Sequence, residues 1–164
     1  MLNYITKGDT IIFAPSFNDE LNHTLLVLLA DYKKIIFSDN NLDSDFNLFD
    51  VYDNRTSNNI SKFNQPVNTL PPSITHLTFG KSFNRTVSNL STFITHLTFG
   101  SFFNQSVDNL PSRSSITHLT FGFYFNHTVS KLPPKLTHLT FGVSFNHPVS
   151  HLPLTLTQDR KSVV

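Results

Sequence analysis

The sequence predicts a repeat solenoid: one short parallel β-strand per coil of about 20 residues, mostly irregular chain on the convex side, and little helix. Three observations predict it. The pair Phe-Asn returns at Phe63, Phe83, Phe103, Phe125 and Phe145, at intervals of 20, 20, 22 and 20 residues. The run Thr-His-Leu-Thr-Phe-Gly stands four times unchanged, at 75–80, 95–100, 117–122 and 137–142. The composition is skewed in the way that copying a unit produces, with 17 Phe in 164 residues, no Trp, no Cys and one Met.

Each element of the coil follows from its residues. In Thr-His-Leu-Thr-Phe polar and apolar residues alternate with a period of two, which makes a half-buried strand. Leu77 and Phe79, with their equivalents Leu97 and Phe99, Leu119 and Phe121, and Leu139 and Phe141, are expected to point inward as two columns. Phe83, Val87 and Leu90 supply further inward positions. With one strand per coil every strand runs the same way, so an all-parallel sheet is expected, its strands about 4.8 Å apart. The return segment carries Leu-Pro-Pro at Leu70 and Leu132, and proline there opposes helix because it lacks an amide proton and restricts its predecessor.

Gly80, Gly100, Gly122 and Gly142 close each strand, through either a positive φ or a close approach between coils. The Asn that follows each second Phe can satisfy backbone groups left unpaired by a turn. The third unit holds two extra residues between Leu110 and Ile116, around Arg113, expected on the convex side with the strand register untouched.

Three segments are expected. Residues 1–62 read as diverged N-terminal capping coils, because Phe13 and Phe37 echo the strand Phe and Phe17-Asn18 echoes the Phe-Asn pair. Phe37 to Phe79 spans 42 residues, close to two repeats. Residues 63–157 are the repeats proper, four full strand units and a partial fifth starting at Leu156-Thr157. Residues 158–164 form a polar tail. Charge divides the same way: residues 1–62 hold nine Asp/Glu against five Lys/Arg, and residues 63–164 hold two against seven. A cap is needed because the first coil of a stack would expose an apolar face and an unpaired strand edge.

The array resembles the leucine-rich repeat, with Leu136-x-x-Leu139-x-Phe141 followed by Val149-x-x-Leu152-Pro153, Phe replacing one Leu. More specifically, Phe-Asn-x-Pro-Val at 63–67 and 145–149 resembles the FNIP-repeat family over residues 63–157. Arg85-Thr86 and Gln105-Ser106 depart from the motif where the family has Pro. The resemblance implies a protein-interaction repeat. Some members carry an F-box ahead of the repeats, but residues 1–62 show no F-box-like helical pattern, so an adaptor role is not implied.

Composition limits the chemistry. Without cysteine there are no disulfides, thiolate metal sites or cysteine nucleophiles, and a cytoplasmic compartment is expected. The first ten residues show no basic start followed by an apolar stretch, and the longest apolar run, Leu25 to Ala30, is too short to span a bilayer, so no membrane partner is expected. Seven Asn-x-Ser/Thr triplets, three of them reusing the repeated Phe-Asn pair, read as by-products of copying. Residues 63–164 hold only Asp108 and Asp159 as acids, and no nucleophile–base pair departs from the pattern, so no enzyme, cofactor or small-molecule substrate is expected. Asp39, Asp43 and Asp45 lack the Gly and closing Glu of a calcium loop. Lys81, Arg85, Arg113, Lys131 and Lys135 occupy different repeat positions, so nucleic-acid binding is not expected.

The expected function is a scaffold that holds an as yet unidentified protein partner on its strand face. The residues expected to contact it are His76, Thr78, His96, Thr98, Phe102, His118, Thr120, Phe123, Tyr124, His138 and Thr140. Phe102, Phe123 and Tyr124 fill the variable places after Gly, where packing does not dictate identity, and exposed aromatics make effective anchors. The alternative reading takes His76, His96, His118 and His138 as a metal- or pH-responsive column. Four ligands in a line suit a tetrahedral metal poorly, and a repeat residue on a half-exposed strand explains them more simply.

Overall fold

The computed structural model describes residues 3–39, 60–149 and 152–156. Seven strands form one sheet in chain order: β1 (Tyr4–Lys7), β2 (Thr10–Phe13), β3 (Lys34–Phe37), β4 (His76–Thr78), β5 (His96–Thr98), β6 (His118–Thr120) and β7 (His138–Thr140). From β2 onward neighbours are parallel and in register, Leu77 opposite Leu97, Leu97 opposite Leu119, and Leu119 opposite Leu139. The fold is a parallel β-solenoid with very little helix, as the period and alternation predict.

One pairing departs from the all-parallel expectation. β1 runs antiparallel to β2, Tyr4 opposite Phe13 and Lys7 opposite Thr10. The reason is local: Gly8, at φ 57°, turns the chain back within two residues, whereas parallel neighbours need a whole coil between them. The hairpin pairs the edge of β2 that a further coil would otherwise occupy.

The first coil also returns differently. Helix α1 (His23–Leu29) replaces the irregular return segment; Asn22 caps it, its side-chain oxygen accepting from Leu25 N–H at 3.0 Å. No proline interrupts Thr-Leu-Leu-Val-Leu-Leu, and Leu29 is buried while Leu25, Leu26 and Leu28 pack on the core. The later coils turn instead on a hydrogen bond back three residues, to a proline in Ile74 N–H to Pro71 O and Leu136 N–H to Pro133 O, both at 3.1 Å, and to Ser91 in Ile94 N–H to Ser91 O at 3.3 Å.

The core is a phenylalanine ladder. In each repeat the two Phe rings stack face to face, Phe79 on Phe83 at 3.6 Å and Phe99 on Phe103 at 3.7 Å between centroids. Successive coils continue the columns at 5.7 Å from Phe79 to Phe99 and 6.1 Å from Phe83 to Phe103. Leu77, Val87, Leu90 and Ile94 fill the rest, all buried. In the last described coil Leu139, Phe141 and Phe145 are only partly buried.

The interval from Phe37 to Phe79 is one coil, not two. β3 pairs directly with β4, and Phe37 stacks on Phe63 at 3.7 Å, the distance that joins Phe79 to Phe83. The 42 residues are therefore a repeat with a long insertion between its two Phe positions. Asp39 anchors the insertion where it leaves the strand: its carboxylate accepts from Ser61 N–H at 2.8 Å and Lys81 N–H at 2.9 Å. Asp43 and Asp45 lie outside the described residues.

A side-chain ladder and a column of close backbone contacts bind coil to coil. Asn18 Oδ1 accepts from Asn64 N–H, Asn64 from Asn84, Asn84 from Asn104, Asn104 from Asn126 and Asn126 from Asn146, each at 2.9–3.0 Å. The Gly column marks close approach rather than positive φ, since Gly8 alone among the described glycines has φ above zero. A Cβ on Gly100 would strike the carbonyl of Gly80, and one on Gly122 the carbonyl of Gly100. The two extra residues of the third unit form a turn, Ser114 N–H to Pro111 O at 2.9 Å, with Arg113 exposed and His96 still opposite His118.

Candidate functional site: the strand face

Residues that alternate with the buried Leu and Phe stand on the outer face of the sheet. Register places Thr10, Lys34, His76, His96, His118 and His138 in one column, and Ile12, Ile36, Thr78, Thr98, Thr120 and Thr140 in the next. The imidazoles stack face to face, with centroids 4.0 Å apart from His76 to His96, 4.1 Å to His118 and 4.0 Å to His138.

The residue before each His sets that stack. Thr95 Oγ1 donates to Thr75 O at 3.1 Å, Thr117 Oγ1 to Thr95 O at 3.2 Å and Thr137 Oγ1 to Thr117 O at 3.0 Å. The same hydroxyls lie 2.9, 2.9 and 2.8 Å from Nδ1 of His96, His118 and His138, and Thr75 Oγ1 lies 2.9 Å from His76 Nδ1. Each Thr thus ties its coil to the previous one and fixes its neighbour's ring. The signal was present in the sequence: Thr precedes His in every hexapeptide.

Burial and mutual proximity favour the neutral form of His76, His96 and His118. Burial lowers the His96 pKa to about 4, helped by the neighbouring His76, His118 and His138 and by Lys34. Burial lowers His118 as well, with His138 adding to it. It lowers His76, where Lys34 adds and Asp9 partly opposes. Two imidazolium charges at the 4.0 Å ring spacing would repel by about 1 kcal/mol even in bulk water.

Stacked rings do not converge on an ion. Imidazole binds through an in-plane lone pair, and an ion shared by nitrogens about 4 Å apart at a zinc–nitrogen distance of about 2.1 Å would sit roughly 70° out of each plane. Among the described residues no group of three His, Asp or Glu is placed to hold a metal.

Beside the Thr column runs a groove of about 270 Å³, lined by Thr78, Thr98, Thr120, Phe123 and Val143 over a floor that includes Gly100. Asp39 and Lys81 line it also, at its β3 and β4 side. Thr140 and the four His are not part of the lining. Next to the groove Phe102, Phe123 and Tyr124 are 45%, 46% and 50% exposed. Tyr124 stacks on Phe102 at 5.5 Å and meets Phe123 edge-on at 4.8 Å, so the three form one outward cluster. Sequence reasoning missed Val143, which stands one coil beyond Phe123 and is 78% exposed. It also missed Phe93, exposed one residue before Ile94 and hence away from this face.

Lys81 lines the groove and Lys34 stands in the His column, whereas Arg85 and Lys131 lie elsewhere. Arg85 Nε donates to Asn64 O at 2.9 Å on the Asn-ladder side, and Lys131 N–H donates to Asp108 at 3.0 Å in a return segment. No helix among the described residues is long and apolar enough to cross a membrane.

Comparison with known proteins agrees with this geometry. Residues 63–91 match the model of the FNIP Repeat family. It is similar to the crystal structure of CroV588, described as a novel circular LRR protein, at 33% identity and a TM-score of 0.67 over 90% of this chain. This chain spans 19% of that protein's length. No curated protein matches.

Proposed function

We propose that this FNIP-repeat, leucine-rich-repeat-like solenoid is a non-enzymatic scaffold that holds a protein partner on its strand face. The observation that carries the reading is the exposed cluster of Phe102, Phe123 and Tyr124 at the edge of the Thr-lined groove. Large apolar side chains standing together in water are costly to a soluble surface and mark contact sites, with aromatic anchors supplying most of the binding energy. Repeat families of this architecture commonly serve as interaction scaffolds, their stacked strands offering an extended surface. In this reading residues 1–62 cap the stack, residues 158–164 are a polar tail, and the compartment is the cytosol, in keeping with a chain free of cysteine.

The test is affinity capture from an extract of cells that express the protein. The double variant Phe102→Ser, Tyr124→Ser is expected to lose its captured partner while its thermal midpoint stays within about 3 °C of the parent. Arg113→Ser, in the exposed turn of the third unit, is expected to retain capture. Capture undiminished in the double variant overturns the reading. So does a collapse in its stability, which would place the two rings in the core.

A further inference from the structure

The turn after each repeat strand is built alike. Phe83 N–H bonds to Gly80 O at 3.4 Å, Phe103 to Gly100 at 3.3 Å, Phe125 to Gly122 at 3.4 Å and Phe145 to Gly142 at 3.3 Å. The third residue of the turn reaches back one coil, as Phe102 N–H does to Lys81 O at 3.1 Å and Tyr124 N–H to Ser101 O at 2.9 Å. Neither bond uses the N–H of the second residue, so that group needs an acceptor from elsewhere.

The early coils show how it is satisfied. In the first, where Phe17 N–H bonds to Ala14 O at 3.0 Å, the second residue is Pro15, which has no N–H. In the next the place belongs to Ser61, since Lys62 N–H after it reaches back to Pro15 O at 2.7 Å. Ser61 and Lys81 then share one carboxylate: Asp39 Oδ1 accepts from Ser61 N–H at 2.8 Å and from Lys81 N–H at 2.9 Å, with Oδ2 3.2 Å from Lys81 N. In the three turns that follow, no acceptor among the described residues meets the N–H of Ser101, Phe123 or Val143. All three residues line the groove beside the Thr column, as Asp39 and Lys81 do.

We propose that the N–H groups of Ser101 and Phe123 form a carboxylate site, which the protein partner fills with an aspartate or glutamate side chain bridging both rungs as Asp39 bridges Ser61 and Lys81. The proposal rests on the strand-face reading above and names one chemical group of that partner. The rungs are spaced alike: the adjoining Phe63 and Phe83 stand 6.2 Å apart, and Phe103 and Phe125 stand 6.1 Å apart. Bonds from backbone N–H to a carboxylate are charge-assisted and about twice as strong as neutral ones. Thr98 and Thr120 line the same stretch with hydroxyls that can also donate, and Lys81 adds a positive charge one coil away. Asp39 is the one acid among the described residues of the lining, and its oxygens are already engaged. Burial raises the Asp39 pKa against the pull of its two N–H bonds. Ser101 and Phe123 are more exposed than Ser61, so a carboxylate there keeps more of its water. The exposed rings of Phe102 and Tyr124 adjoin the site, so the fitting segment carries an acid beside apolar residues.

Two measurements test it. Amide hydrogen exchange of the full chain at pH 7 is expected to find Lys81 protected and Ser101 and Phe123 exchanging at least about tenfold faster. Equal protection means that these groups already have partners, and it overturns the proposal. Second, a displayed library of random peptides is selected on the full chain at pH 7, and the winners are compared on the parent, Ser101→Pro and Ser101→Ala. Proline removes the N–H at a turn position where Pro15 already stands, and alanine keeps it. The peptides are expected to contain an Asp or Glu whose change to Asn or Gln weakens binding at least about tenfold on the parent and on Ser101→Ala, but much less on Ser101→Pro. Thermal unfolding verifies the fold of Ser101→Pro. Should that variant not fold, the Ser101 and Phe123 amide proton shifts of the parent decide, since the acidic peptide must move them and its Asn or Gln counterpart must not. Peptides whose acid is dispensable, or counts equally with and without the Ser101 N–H, overturn the carboxylate site. If those peptides still lose binding to Phe102→Ser, Tyr124→Ser, the strand-face reading stands. Peptides indifferent to every variant, or no selected peptide at all, would sink both.

Discussion

Replacing Gly100 with Ala adds one methyl group at a point where two coils already touch backbone to backbone. The new Cβ would lie 2.8 Å from Lys81 N and closer still to the carbonyl carbon and oxygen of Gly80, against an ordinary contact of 3.4–4 Å. These atoms belong to the backbone of the preceding coil, so no side chain can swing aside. The two coils must part by more than half an ångström. That strains the bonds flanking the glycine, Phe79 N–H to Thr98 O at 2.9 Å and Phe102 N–H to Lys81 O at 3.1 Å, each contributing about 1 kcal/mol. It also loosens the Phe79–Phe99 contact below, where dispersion falls steeply with distance. Overpacking of this kind costs about 1–3 kcal/mol, so with the lost bonds Gly100→Ala is expected to destabilise by about 3–4 kcal/mol. Urea unfolding followed by circular dichroism measures it. The internal control is Gly8→Ala, where nothing lies within 4 Å of the new Cβ and only the φ of 57° is strained, at about 1 kcal/mol. A Gly100→Ala cost no larger than that of Gly8→Ala would refute close coil contact as the reason for the glycine column.

Further outcomes follow from the ladders. Asn104→Ala removes the acceptor of Asn126 N–H, held at 2.9 Å, and is expected to cost about 1 kcal/mol in the same urea assay, the site being exposed enough for water to replace the bond. The histidine column makes stability pH-dependent with a definite sign. His76, His96 and His118 have lowered pKa values in the folded state, so between about 4 and 6.5 the unfolded chain binds more protons, and stability must fall as the pH falls through that window. Asp39, whose carboxyl burial pushes up, acts in the opposite sense near the lower end, so the clearest slope lies just below pH 6.5. Thermal midpoints in that range should drop with acid in the parent and drop less in His96→Phe; equal slopes would contradict the linkage.

Much of the molecule was legible in its residues, and particular ones show why. Leu77 and Phe79 could be assigned inward because a strand turns alternate residues to opposite faces, and the identical hexapeptides could be stacked because equal coils in register repeat each contact. Phe102, Phe123 and Tyr124 could be picked out as exposed because they occupy the places that vary between units. The partnership of Phe37 with Phe63 was not legible, since an insertion separates two rings that elsewhere stand four residues apart, and only packing reveals that the 42-residue interval closes a single coil. The antiparallel β1 escaped for a related reason: alternation reports which face a residue takes and is blind to strand direction.

For the candidate site the division is similar. A row of four histidines beside a row of four threonines follows from the period alone. Their chemistry does not, because it depends on which atom each hydrogen bond uses. The preceding threonine, 2.9 Å from Nδ1, fixes each ring's orientation, and the 4.0 Å stacking keeps the rings from converging on one metal ion. Sequence by itself determined the stack, its period and its two faces, since these need only local alternation repeated in register. Tertiary structure decided how the coils touch, through glycine contacts and asparagine and threonine ladders, since those are relations between atoms about 20 residues apart that no single unit contains.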